Sequence, residues 1–228
     1  MLAKDWMTEH VITIGPEDCL LKAAKLMDDF EVSLLPVTDG GKLIGIISDG
    51  DLKRAAPSDA FGLDSDLVTD HMSRVKVGAV MTLNPVTVPE DYTVDEVAKV
   101  MLDNKISGCP VRDREGRITG IVTKSDLFRA IIAVTGLDKK GLQIGAVIED
   151  RPGSLREVTD IIRSHGGRLV SILTSYHKAP KGCRYAYIRA FNVGKDMRNR
   201  LKRELHEKLH LIYLVDHTEN KRELFNSP

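Results

Sequence analysis

The chain has 228 residues, long for one domain and comfortable for two, because ordinary cores are complete at roughly 100 to 150 residues. Its 42% hydrophobic and 29% charged residues belong to a globular protein without low-complexity or fibrous bias, and Lys plus Arg equals Asp plus Glu at 33 each, so no global field is available to hold a nucleic acid. Cys19, Cys109 and Cys183 are scattered and odd in number, which fits buried thiols in a reducing compartment, and neither a signal peptide nor an apolar run of ~18 residues is present, so a cytoplasmic chain with no membrane contact is expected.

In chain order, Val11 to Ile14 is a short β-prone run, followed by a polar turn and a helix whose Leu20, Ala23, Ala24 and Met27 fall on one face at i, i+3, i+4 and i+7. Asp18 is placed to start that helix. Leu34-Leu35-Pro36-Val37 reads as a strand, Asp39-Gly40-Gly41 as a turn and Leu43 to Ile47 as the returning strand of a hairpin. Arg54 to Val80 then reads as a connection without chemistry: Pro57, Gly62 and the acidic stretch Asp64 to Asp70 predict a surface excursion with a short helix.

The pattern then returns. A shift of 74 residues puts Met7-Thr8 on Met81-Thr82, Ala24 on Ala98, Met27 on Met101, Ser33 on Ser107 and Pro36-Val37 on Pro110-Val111. After one added residue, Gly45-Ile46-Ile47-Ser48 meets Gly120-Ile121-Val122-Thr123, and Asp51-Leu52 meets Asp126-Leu127. In this second copy Val86-Thr87-Val88 is the first strand, and Val94, Val97, Ala98 and Met101 form the buried helix face behind a Thr93-x-x-Glu96 capping box. Cys109-Pro110-Val111 and Ile118 to Val122 make the hairpin, with a helix from Leu127 to Val134. Each copy therefore predicts a β-α-β-β-α unit, which cannot cover both faces of its sheet alone; two packed pseudo-symmetrically can.

Met-Thr, an apolar strand, a short amphipathic helix, Pro-Val and Gly-Ile-x-[Ser/Thr]-x-x-Asp-Leu together resemble the CBS domain family, over residues 1 to about 135. The resemblance implies a Bateman module, a CBS pair whose inter-repeat cleft commonly holds AMP, ADP, ATP or S-adenosylmethionine as a regulatory ligand, with no catalytic cofactor. It gives Thr123 and Asp126 the phosphate and ribose contacts, joined by His10, Ile12, Val32 and Ser33 of the other repeat. A mirror site combines Asn84, Val86, Ile106 and Ser107 with Ser48 and Asp51. The chemistry is coherent: a hydroxyl and backbone N–H groups at a helix start suit phosphate, and a carboxylate can accept from ribose hydroxyls. Asp49 sets an extra negative charge in the first motif and Lys124 a positive one in the second, which favours the second. The same Ser/Thr-x-x-Asp spacing also describes a plain helix cap, and that alternative stays open at this point.

From Gly141 the pattern changes. Leu142, Ile144, Ala146 and Ile148 alternate with Gln143, Gly145, Val147 and Glu149 as a half-buried strand, and a helix follows with a Ser154-x-x-Glu157 capping box and an apolar face of Leu155, Val158, Ile161 and Ile162, stopped by Gly166-Gly167. β-rich segments Arg168 to Tyr176 and Arg184 to Asn192, a helix with Met197, Leu201 and Leu205, and a strand Leu211 to Val215 complete the order β-α-β-β-α-β. With the Asp-Arg-Pro-Gly-Ser-Leu turn, this resembles the ACT domain, a ferredoxin-like fold that often binds amino acids where subunits meet. By that resemblance Asp150, Pro152, Gly153, Ser154 and Leu155 are ligand-contact candidates, and a purely structural role for the turn is equally compatible with them. Two CBS copies with one ACT domain look like acetoin-utilisation B-type proteins.

His206-Glu207-Lys208-Leu209-His210 fits the H-E-x-x-H pattern of zinc hydrolases. Leu201, Leu205 and Leu209 define the buried stripe of that helix, which leaves both histidines on a solvated flank, and no catalytic residue or metal ligand is assigned. The expectation is thus an α+β chain with CBS repeat 1 at 1–56, a linker at 57–77, CBS repeat 2 at 78–138, an ACT domain at 141–217 and a tail at 218–228. It is a homodimeric, non-enzymatic sensor of an adenine nucleotide, with an amino acid as a second ligand, acting on an unidentified target enzyme. A scaffold protein with empty clefts is the rival reading, and an H-E-x-x-H zinc hydrolase a remote third.

Overall fold

An amphipathic helix laid on one face of a β-hairpin is the folding unit, and the chain makes it twice. The computed structural model describes residues 1–56 and 65–225. After a 3-10 turn at Ala3–Asp5 come α1 (Leu20–Asp29), β1 (Leu34–Asp39), β2 (Lys42–Ser48), α2 (Asp49–Ala55) and α3 (Ser65–Arg74). A second 3-10 turn, Val77–Ala79, leads into β3 (Thr82–Leu83), β4 (Val88–Pro89), α4 (Val94–Asp103), β5 (Gly108–Arg112), β6 (Ile118–Thr123) and α5 (Lys124–Thr135). The chain continues through β7 (Leu142–Glu149), α6 (Ser154–Ser164), β8 (Arg168–Ser175), β9 (Cys183–Phe191), α7 (Lys195–Lys208), β10 (His210–Asp216) and β11 (Lys221–Leu224). It divides within α5 into two compact units, Met1–Ala130 and Ile131–Pro228.

In the first unit, Leu20, Ala23 and Met27 of α1 and Val94, Val97 and Met101 of α4 are buried on one helix face each, as the 3.6-residue period requires. The two hairpins pair antiparallel in equivalent registers, Leu35 opposite Ile47 and Cys109 opposite Val122. The first β-prone run of each copy contributes little ladder: Ile14 makes one parallel bridge to Val37, and β4 pairs two residues with β5. The leading segments cross between repeats. Thr8 bridges Ile121 of β6, and Thr82 of β3 pairs with Ile46 of β2. Ala3 consequently sits in the core of the second repeat, beside Val97 and Val111, while its equivalent Val77 sits in the core of the first, beside Leu20 and Val37. The crossing needs room that only glycine leaves, since a Cβ on Gly120 or Gly45 would fall inside contact distance of Met7 Sδ or Met81 Sδ. Neither repeat is closed without the other.

Several expectations are corrected here. Asp18 does not cap α1: the N-cap is Cys19, and the Asp18 carboxylate instead accepts from the Gly15 N–H at 2.9 Å and from Lys22 at 2.8 Å. The connection expected from Arg54 to Val80 is not uniformly a surface segment, because Arg54 belongs to α2 and Val77 is fully buried. Pro57, Gly62 and Asp64 of the expected excursion lie outside the described residues. Thr93 and Glu96 do form the expected capping box, the Thr93 N–H and hydroxyl donating to Glu96 at 2.8 and 2.9 Å.

In the second unit, five strands lie in the order β11-β10-β7-β9-β8, every neighbouring pair antiparallel. α6 and α7 bring Val158, Ile162, Leu201 and Leu205 against Ile144, Ala146, Ile188 and Ala190. Val147 is buried as well, so β7 alternates less cleanly than a strand with one wet face. β11 was expected as tail; its Lys-Arg-Glu-Leu sequence reads as solvent but pairs along β10, and charged residues are what a protected sheet edge carries. α6 starts without a capping box. Its N-cap is Gly153 at φ +89°, Ser154 already inside the helix donates its hydroxyl to the Arg151 carbonyl at 3.0 Å, and Glu157 is held by Arg151 at 2.8 Å. Gly166, at φ +79°, closes the helix as expected, with Gly166 N–H to Arg163 O and Gly167 N–H to Ile162 O.

Candidate functional site

At each hairpin end a β-strand turns directly into a helix, and the first polar residues there knit into one motif. Asp126 is 2% exposed, and its Oδ2 accepts from the Thr123 N–H and the Thr123 hydroxyl, both at 2.7 Å. Its Oδ1 accepts from Arg129 Nη1 at 3.2 Å. In the first repeat Asp51 Oδ2 accepts from the Ser48 N–H at 2.8 Å and hydroxyl at 2.6 Å, the Asp51 N–H returns a bond to Ser48 Oγ at 3.2 Å, and Arg54 pairs with Oδ1. Charge-assisted bonds of this kind are what make a buried carboxylate tolerable. The helix-cap role foreseen for this spacing is complete in the first repeat, where Ser48 Oγ accepts from the Asp51 N–H; in the second the recorded bonds run only from Thr123 to the Asp126 carboxylate.

That geometry narrows what the motif can offer a ligand. A carboxylate has about four acceptor positions, and three on Asp126 are taken, so it can accept one further hydroxyl unless Arg129 moves. The Thr123 hydroxyl and N–H both point at Asp126, and the Lys124 N–H is committed to Ser107 O at 2.9 Å. The Thr123 donors are thus already used within the motif, and the guanidinium groups of Arg54 and Arg129 are the side-chain donors beside it with N–H groups to spare. Lys124, exposed, does not line the cavity, and the Asp49 carboxylate is paired with Lys53 at 3.0 Å, whose hydrogen bond holds it below the usual carboxylate range. Neither charge bears on the clefts in the way the sequence implied.

The crossing of the leading segments places the two halves of each candidate set side by side. His10, Ile12, Val32 and Ser33 of the first repeat share a cavity of about 170 Å³ with Thr123 and Asp126 of the second. Asn84, Val86, Ile106 and Ser107 share one of about 390 Å³ with Ser48 and Asp51. All twelve candidates thus gather into two pseudo-equivalent cavities, and the larger, within the ordinary size range of small-ligand pockets, is the one built on the first motif. Sequence reasoning missed four charged residues at the cavities. Arg54 and Arg129 line them at the same offset of 75 residues that aligns Asp51 with Asp126, and Glu31 and Lys105 line them at the offset of 74. Extending the repeat alignment three residues past Asp51 exposes the first pair.

In the second unit the five turn residues do not converge. Ser154 alone lines a cavity of about 320 Å³, with Arg151, Glu157, Cys183 and Lys208 among its walls. Asp150 accepts from the Tyr176 hydroxyl at 3.1 Å, Leu155 packs on the core, and Pro152 and Gly153 are exposed. The H-E-x-x-H segment does not form its helical geometry: α7 ends at Lys208, His210 opens β10, and the His206 ring rests on Phe225 at 5.3 Å. Among the described residues no cluster of three His, Cys, Asp or Glu is arranged to hold a metal, and no helix is long and apolar enough to cross a membrane.

Two interlocked β-α-β-β-α repeats that complete each other's cores and enclose two matched clefts define a tandem-repeat module. The CBS domain model matches residues 3–58 and 77–133, and a CBS domain-containing protein of Dictyostelium discoideum is 36% identical over 135 residues, covering 59% of this chain and 93% of that protein. The chain belongs to the CBS-domain family, and its repeats form a tandem CBS pair, or Bateman module. An inosine-5'-monophosphate dehydrogenase of Korarchaeum cryptofilum is 33% identical over 180 residues, 74% of this chain, which spans only 35% of that enzyme. Among solved structures, the CBS domain pair of protein MJ0100 in complex with 5'-methylthioadenosine and S-adenosyl-L-methionine aligns with TM-score 0.49 and 33% identity over 61% of this chain and 98% of that one.

Proposed function

We propose that the chain is a regulatory sensor in which the CBS pair binds an adenine nucleotide or S-adenosylmethionine, and that it acts on a separate target enzyme without catalysis of its own. The observation that carries this reading is the pair of clefts in which a hydroxyl–carboxylate–arginine motif of one repeat shares a cavity with an apolar wall from the other, Ile12 and Val32 in one and Val86 and Ile106 in the other. A flat base suits the apolar wall, a ribose hydroxyl the remaining acceptor position on Asp51 or Asp126, and a phosphate the arginine. In this reading the repeats run over 1–56 and 78–138, and residues 141–217 are a ferredoxin-like ACT domain of the acetoin-utilisation B type. The β-α-β-β-α-β order with helices on one sheet face supports that assignment; an amino acid is its proposed ligand, and a homodimer the proposed assembly. Regulation requires that the ligand bind two states with different affinity.

Titration calorimetry of the full chain with AMP, ADP, ATP and S-adenosylmethionine tests the reading. Saturable binding that weakens at least about tenfold in Asp51→Ala or Asp126→Ala, a loss of about 1.4 kcal/mol, supports it. No heat with any of the four would leave the scaffold reading standing.

A further inference from the structure

The two clefts are equivalent in backbone and opposite in charge. Each of α1 and α4 ends in the same left-handed closure: Val32 N–H to Met27 O at 2.9 Å with Glu31 at φ +52°, and Ile106 N–H to Met101 O at 3.0 Å with Lys105 at φ +55°. Glycine is the ordinary occupant of that position because any Cβ is strained there, and the chain uses Gly166 at the same point of α6. At the two CBS positions it keeps a charged residue instead, and both line a cavity. Among the described residues neither side chain has an ion-pair partner. Strain retained at a cavity wall points to a use for the side chain.

The cavity of about 390 Å³ therefore carries two cations, Lys105 and Arg54, against the single carboxylate of Asp51. The cavity of about 170 Å³ carries one cation, Arg129, against two carboxylates, Glu31 and Asp126, in less than half the room. Resting on the adenine-ligand reading above, we infer that the clefts sort ligands by phosphate. The Lys105 cleft takes a phosphorylated adenine nucleotide, and the Glu31 cleft takes an adenosyl compound without phosphate.

Calorimetry of the full chain with AMP and with adenosine, which differ by the phosphate alone, tests this with Lys105→Glu and Glu31→Lys. Both side chains are exposed, and circular dichroism checks that each variant stays folded. Wild type is expected to bind one AMP per chain. Lys105→Glu should weaken AMP about tenfold and adenosine less than about twofold, the AMP loss shrinking at high salt. Glu31→Lys should raise the AMP stoichiometry toward two. AMP that binds but is indifferent to both reversals, or that fills two equal sites in wild type, overturns the sorting and leaves the parent reading intact. Absence of binding by AMP and adenosine alike overturns the sorting, and the parent reading falls with it only when ADP, ATP and S-adenosylmethionine also give no heat.

Discussion

Asp126 and Asp51 do the same work in different surroundings. Asp126 is 2% exposed and holds three bonds, so removing its carboxylate leaves the part-buried Thr123 N–H and hydroxyl without their acceptor, while Arg129, 63% exposed, can turn to water. Asp126→Ala is expected to cost about 1–2 kcal/mol of unfolding free energy, and Asp51→Ala less, since its side chain retains 13% exposure. Urea denaturation of both variants checks the order; equal losses would mean that burial does not decide the cost. Cys109 offers a second measurement. Burial at 0% exposure raises its thiol from 9.0 to about 11. A folded-state value above the unfolded one favours the folded chain below about pH 9, and that contribution disappears as the pH climbs through about 11. Stability should fall across that window in wild type and fall less in Cys109→Ala, as pH-dependent urea midpoints would show.

At the scale of elements, the closures of α1 and α4 set a charge at each cleft at the expense of stability. Glu31→Gly and Lys105→Gly remove a side chain from the left-handed region and should each stabilise the fold by about 0.5–1 kcal/mol, or raise the midpoint by about 1–4 °C. Thermal unfolding of the two variants tests it, and a lowered midpoint would mean that the side chains brace the closure. The crossing of the leading segments depends on Gly45 and Gly120. An added methyl at either must displace Met81 or Met7 and also meets backbone, the Thr82 carbonyl at 3.1 Å or the Thr8 carbonyl at 3.0 Å. Gly120→Ala should therefore destabilise by about 1–3 kcal/mol.

For the whole molecule, the two units have separate hydrophobic clusters, one in Ile131–Pro228 and two in Met1–Ala130 joined by exchanged Ala3 and Val77. Two such clusters that borrow a residue from each other should melt as one cooperative block. Calorimetry is expected to give no more than one transition for the CBS pair, and AMP at 100 times its Kd should stabilise that transition by about 2.7 kcal/mol. A CBS pair that melts in two steps would show that the exchanged segments do not couple the repeats.

Much of this was legible in the linear chain because it is periodic. The 3.6-residue stripes of α1, α4 and α6, the paired hairpins and the 74-residue repeat each rest on local spacing, while the twelve cleft candidates came from the resemblance to the CBS family carried onto the two copies. What escaped depends on partners distant in sequence or on competition for hydrogen bonds. β11 is a strand only because β10 presents an edge, and Ser154 lies inside α6 because Gly153 takes the left-handed turn. The outward face of Asp49 was decided by Lys53, and the burial of Val77 by a core that belongs to the other repeat. Sequence by itself determined that there are two copies and which side chains they share; only the tertiary structure decided that each copy lends its first segment to the other, because a hairpin with one helix has a face that nothing nearby in the chain can cover.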